Sequence, residues 1–223
     1  AGSGALTLTL NTTGGIFDIA TPSGITITGH LTNHLTLTGN LTDLNQYISK
    51  PNNIHFRPIQ NLSGDNATLV EVSINDNGNT GSGNRGDVAI GTINIDITPV
   101  NDAPVNAVPV AQAIDQNGNL IFSVSNGNLI SISDVDAESG AVSVTLVASN
   151  GLMTLAGTTG LSFTTGDGTA DGTMAFEGTI SNINSALNGM GFLPTASYSG
   201  QASLQITTND QGLSGSGGAQ SDS

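Results

Sequence analysis

Apolar and polar residues alternate along most of this chain with a period of two. Leu6, Leu8 and Leu10 are separated by threonines, and Val142, Val144 and Leu146 by Ser143 and Thr145. Such alternation sends every second side chain to one face, as a half-buried strand requires. The strand-like runs are bounded by Gly, Asn and Asp clusters such as "NTTGG" and "TGDGTADG", which are turn formers. Two stretches follow another rhythm. Leu41, Leu44 and Ile48, and again Ile180, Ile183 and Leu187, are spaced i, i+3, i+7, which predicts one short helical segment in each half of the chain. The expected class is all-β, an antiparallel β-sandwich in which helices serve as connections. The "SNG" turns at Ser125–Gly127 and Ser149–Gly151 read as tight hairpins, with Asn-Gly supplying positive φ.

The two halves repeat one another. "GALTLTLNTTGGIFDIATPSGITITG" from Gly4 aligns with "GAVSVTLVASNGLMTLAGTTGLSFTTG" from Gly140. "LTDLNQYIS" from Leu41 aligns with "ISNINSALN" from Ile180, and "HFRP" from His55 with "GFLP" from Gly191. "INDNGNTGSGN" from Ile74 aligns with "TNDQGLSGSGG" from Thr208, and the offset stays between about 134 and 139 residues throughout. A fixed period of this kind marks tandem copies of one domain, expected at 1–104 and 105–223. The copies are out of phase. The second has a preamble, Asn119–Gly140, without a counterpart in the first, and the first has a closing strand, Asp87–Val100, without one in the second. The phase suggests a segment of a longer array. A sheet lacking its last strand has an open edge, so Gly212–Ser223 is expected to be loose, or that edge covered by a neighbour.

Composition narrows the partners. Among 223 residues only Lys50, Arg57 and Arg85 are basic, against 17 acidic residues, for a net charge of −14. Such a surface does not neutralise phosphates, so nucleic acid and anionic membrane are excluded as partners. Oxygen ligands in excess over positive charge suit a hard divalent cation instead. Cysteine is absent, so no disulfide braces the fold. The stretch from Ala1 has no signal-peptide pattern, and no apolar run approaches a membrane span.

The acidic residues gather at particular places. "SDVDAESG" sets Asp134, Asp136 and Glu138 at alternate positions. At a strand end this puts the carboxyl groups on one face, roughly 6–7 Å apart along the chain, where they repel unless a cation lies among them. "PVNDAP" holds Asn101 and Asp102 between Pro99 and Pro104, and the flanking prolines lower the entropy of fixing that stretch. "TNDQG" supplies Asn209 and Asp210, and "INDNG" supplies Asn75, Asp76 and Asn77. Asp and Asn in such turns also bond to neighbouring backbone amides without any metal.

Taken together, "ITPVNDAPV", "ISDVDAESG", "GLSFTTGDGT" and "INSALNGMGFLPTASYSGQASLQITTNDQG" resemble the cadherin-like tandem repeats of very large bacterial surface and secreted adhesins. The resemblance covers essentially the whole chain, in two copies. It implies cadherin/Ig-like sandwich repeats with Ca²⁺ at the junctions. Carried over by position, Asn101 and Asp102 correspond to the linker ligands and Asp134 and Asp136 to the pair at the near pole of the second copy, with Glu138 and Asp210 as further candidates and Asp76 as the counterpart in the first copy. The linker lacks the fuller acidic run of animal cadherins, so three ions per joint are not implied. The expected function is a calcium-stiffened extender of a cell-surface or secreted adhesin, extracellular, with neighbouring repeats as its partners. The alternative is a repeat that itself adheres, by binding glycan or a like repeat on another cell.

No catalytic constellation is present, and an enzyme is not expected. "GSGNRG" (Gly81–Gly86) has phosphate-loop spacing but precedes a strand pattern where a helix is required. His30, His34 and His55 lack a completing ligand. "DQNGNL" from Asp115 has Leu120 where a calcium loop needs glycine.

Overall fold

The structure, a computed structural model, describes residues 4–21, 24–79, 86–137 and 139–223. It is all-β in class, with antiparallel ladders and two short helices. The chain divides into two compact units, Ala1–Pro99 and Val100–Ser223. Residues 100–104, including Asn101 and Asp102, therefore group with the second unit.

The first unit contains β1 (Leu6–Thr12), β2 (Gly15–Ile19), β3 (Thr26–Thr28), β4 (His34–Gly39), α1 (Leu41–Ile48), β5 (Ile54–Pro58), β6 (Gly64–Asn75) and β7 (Val88–Ile97). Its main sheet runs β3-β4-β1-β6-β7, and β2 pairs with β5. Leu10, Phe17, Leu35, Leu37, Leu44, Tyr47 and Val70 form the core. The alternation of β1 works as its sequence demands: Leu8 lies opposite Leu37 on β4 and Ile74 on β6, so apolar residues share one face.

The second unit contains β8 (Val105–Ala107), β9 (Leu120–Phe122), β10 (Ser131–Ser133), β11 (Ala141–Ala148), β12 (Gly151–Thr154), β13 (Ser162–Thr165), β14 (Thr173–Thr179), α2 (Ile180–Leu187), β15 (Met190–Pro194), β16 (Leu204–Asn209) and β17 (Ser221–Asp222). Its main sheet runs β13-β14-β11-β16-β17, the same order as in the first unit, with β13, β14, β11 and β16 where β3, β4, β1 and β6 stand and the two-residue β17 at the place of β7. A three-stranded sheet runs β12-β15-β9, and β10 pairs with β8. Val142, Val144 and Leu146 are fully buried, whereas their counterparts Leu6 and Leu8 are only half-buried. The difference follows from the preamble: Phe122, Ile130, Ile132 and Ala137 join the second core.

Both helices begin at their predicted residue because a cap precedes it. The Asn40 side chain accepts from the Asp43 amide at 2.9 Å, and Thr179 Oγ1 accepts from the Asn182 amide at 3.3 Å. The apolar faces differ from the simple periodic reading in one respect. Ile183 and Leu187 are fully buried, but in α1 the inward pair is Leu44 and Tyr47, with Leu41 49% and Ile48 44% exposed. Tyr47 reaches inward because its hydroxyl finds the carbonyl of Ala20 at 2.7 Å.

Two other expectations are corrected. The "SNG" turns are not hairpins. Ser149–Asn150 leads from β11 to β12, which lie in different sheets, and Ser125–Gly127 connects β9 to β10, which also pair with different partners. A tight Asn-Gly turn here carries the chain from one sheet to another, with Asn150 at φ +56°. Nor is the C-terminal stretch loose: Asp222 pairs with Thr208 and Ser221 with Asn209, and the Asp222 carboxylate accepts from the Asn106 amide at 2.6 Å.

Candidate cation site in the second unit

Five of the sequence-predicted residues converge at one pole of the second unit, and strand pairing is the cause. β8 and β10 are antiparallel, with Val105 opposite Ser133. The residues before β8 thus run alongside those after β10, and Asp102 N donates to Asp136 Oδ2 at 2.8 Å. "DVDA" closes on itself: Asp134 Oδ1 accepts from the amides of Asp136 at 3.0 Å and Ala137 at 3.1 Å. That leaves Asp134 Oδ2 and Asp136 Oδ1 buried and without a hydrogen-bond partner.

Asn101 completes the group from a buried position, 3% exposed. Its Nδ2 donates to Asp210 Oδ2 at 2.6 Å and to the Gly218 carbonyl at 2.9 Å. Both are acceptors, so the amide orientation is forced. Asn101 Oδ1 then stands as a third buried oxygen without a partner. Its backbone is equally fixed, the amide donating to Ser216 O at 2.9 Å and the carbonyl accepting from Gln220 Nε2.

Asp210 is fully buried, and its oxygens are occupied. Oδ1 accepts from the amides of Gly212 and Gln220, each at 2.8 Å, and Oδ2 from Asn101. Burial alone raises a carboxyl pKa, but the amides of Gln220, Gly212 and Asn101 outweigh it and hold this group below the ordinary aspartate value. Asp210 therefore orients Asn101 through its carboxylate. Asp134 moves the other way: burial, then the Asp136 carboxyl beside it, pushes its pKa up. One oxygen of each of two carboxylates and a carboxamide oxygen are thus buried with no donor to meet them, an arrangement that costs free energy until something positive or proton-bearing arrives. An all-oxygen donor set suits a hard cation such as Ca²⁺.

Among the described residues, no group of three or more His, Cys, Asp and Glu side chains stands ready for a metal; the cluster here has two carboxylates, and its third oxygen is an amide's. Asp102 is exposed and takes part through its backbone. Glu138 lies outside the described residues, as does most of "GSGNRG". Asp76 belongs to the first unit, in a turn built like that of Asp210: Asp76 Oδ1 accepts from Gly78 N at 3.0 Å, and Asn75 Oδ1 from Asn77 N at 2.8 Å. The Asn77 side chain donates to the Ala5 carbonyl as that of Gln211 does to the Ala141 carbonyl. The histidines make separate local contacts, His34 with Asn11 and His30 beside Asp18.

Sequence reasoning missed Gln220, Gly218 and Ser216, which enclose Asn101. A Gly/Ser-rich tail carries no apolar period, and the one available signal was the recurrence of "ND.G..GSG" in both halves. Gly218 adopts φ +74°, a conformation that suits glycine, where its carbonyl meets Asn101.

No family model matches the chain, and no curated protein does. A solved structure described as "Complete structure of manganese lipoxygenase of Gaeumannomyces graminis and partial structure of zonadhesin of Komagataella pastoris" is 9% identical, with coverage of 100% of this chain and 80% of that one. Its TM-score of 0.26 is too low to inform fold or function. Among the described residues no helix is long and apolar enough to cross a membrane.

Proposed function

We propose that the chain is a pair of cadherin-like β-sandwich repeats, and that the second binds Ca²⁺ at the pole formed by Asn101, Asp134 and Asp136. The observation that carries this reading is the set of three buried oxygens without donors, Asn101 Oδ1, Asp134 Oδ2 and Asp136 Oδ1. Asp210 positions the amide, and the Asp102 amide positions Asp136. A bound ion supplies the positive charge these oxygens lack. It ties 100–104, the stretch that follows the first unit directly, to the turn after β10. Stiffening that stretch is a mechanical function: an extracellular extender of a bacterial surface or secreted adhesin, its partners the neighbouring repeats. The repeated sheet order and the paired "ND.G" turns support the two-copy reading. The chain is not proposed to be an enzyme.

The test is a calorimetric titration of chelator-treated protein with Ca²⁺. Extracellular modules bind with Kd of about 10⁻⁴–10⁻³ M, and binding in that range is expected, abolished in Asp136→Asn. No heat and no change in scattering envelope between calcium and chelator would remove the metal joint.

A further inference from the structure

The stretch Gln211–Gln220 joins β16 to β17 without a strand or helix of its own, and little apolar packing holds it. Its apolar side chains are those of Leu213 and Ala219, both exposed. Gly212, Gly215, Gly217 and Gly218 lie within it, and glycine regains more backbone freedom than any other residue when such a stretch comes loose. Hydrogen bonds therefore keep it in place, and they converge on the cation site.

Ser214 Oγ donates to the Asp136 carbonyl at 2.9 Å. Asn101 N donates to Ser216 O and Asn101 Nδ2 to Gly218 O, each at 2.9 Å, and Gln220 Nε2 donates to the Asn101 carbonyl. At the two ends of the stretch, the amides of Gly212 and Gln220 both meet Asp210 Oδ1. Asn101 and Asp136 carry two of the three bare oxygens, and Asp210 aims Asn101. The coupling runs through one carboxamide. A cation on Asn101 Oδ1 draws electron density from the amide and makes Nδ2 a stronger donor to Gly218 O and Asp210 Oδ2. With the stretch undocked, Asn101 loses the partners of its backbone N–H and carbonyl and one partner of Nδ2, so Oδ1 is no longer held in the site.

We infer that Gln211–Gln220 is a cation-gated strap: a bound ion locks it onto Asn101 and Asp136, and its release lets the ion go. The inference rests on the calcium reading and adds the regulation of that site. Ion and strap are reciprocal, each favouring the other's bound state by the same factor.

The test is amide hydrogen exchange of the full chain in chelator and at graded free Ca²⁺, beside the calorimetric titration. Because the undocked strap does not hold the ion, exchange at the amides of Asn101, Gly212 and Gln220 should slow by about tenfold when free Ca²⁺ is tenfold above Kd, and by about a hundredfold at a hundred times Kd. The turn amides of Gly118 and Gly127, bonded to the carbonyls of Asp115 and Val124, should keep their rates. In Asp136→Asn, calcium should leave exchange in the strap unchanged. Heat of binding with unchanged exchange at Asn101, Gly212 and Gln220 overturns the strap and leaves the calcium reading standing; absence of heat overturns both. Gly212→Pro removes the N–H that meets Asp210 and does not adopt the φ of +71° found there, since proline fixes φ near −65°. That variant should undock the strap and weaken the Kd for Ca²⁺ by about tenfold or more, with β11 amides reporting that the fold is kept. A Kd equal to that of the parent in the folded variant also overturns the strap, and should the variant not fold, the exchange titration of the parent decides.

Discussion

Replacing Asp134 by asparagine should reverse the usual sign of a site mutation. Asp134 Oδ1 accepts from two backbone amides, so an asparagine keeps its carbonyl oxygen there and places its NH₂ where Oδ2 stood. That position is buried and beside the Asp136 carboxyl. One like-charge contact becomes one hydrogen bond to a charged acceptor, a gain of about 1.5–3 kcal/mol. Without calcium, Asp134→Asn should therefore stabilise the second unit. At about 2–8 °C per kcal/mol for domains of this size, its transition should rise by roughly 5–10 °C in chelator. Calcium should add nothing to the variant, whereas on the proposed site the parent should gain about 1.4 kcal/mol when the free ion is tenfold above Kd. Thermal unfolding in chelator and in calcium, with hydrogen exchange at β11 and β16 amides to separate the units, reads both effects. A variant less stable than the parent in chelator, and still responsive to calcium, would refute the reasoning.

Acidity should act on the same group. Asp134 has its folded pKa raised by burial and by Asp136, so its contribution to stability is complete below the unfolded value of about 3.9 and is lost as pH rises through the raised value. The stabilisation by Ca²⁺ should accordingly shrink as pH falls from neutrality toward that value, and a pH-independent calcium shift in melting would contradict it. Asp210, depressed despite its burial, contributes stability above about 3.9 that is lost only at lower pH, so the two groups act in separate windows. In the helices, Ile183→Ala removes a fully buried side chain and should cost about 2–5 kcal/mol. Leu41→Ala, at a site 49% exposed, should stay within about 0.5 kcal/mol. Urea denaturation distinguishes them, and equal costs would show the burial assignment to be wrong.

The alternation Leu6-Leu8-Leu10 and its echo at Val142-Val144-Leu146 made the strands and the repeat legible, because period and turn chemistry are local properties that any pairing must respect. The caps at Asn40 and Thr179 fixed the helix starts for the same reason. Asp134 and Asp136 could be picked out as a pair because their spacing is written in consecutive residues. Tertiary structure alone decided which oxygens stay bare. Asp210 reads in the sequence as a ligand like the others, yet both its oxygens already accept hydrogen bonds, from Gly212 and Gln220 on one side and Asn101 on the other. The bare third oxygen is on Asn101, held there by residues more than a hundred positions away. The identity of a hydrogen bond's partner depends on where the chain returns in space, and no local pattern in a glycine- and serine-rich tail encodes that return.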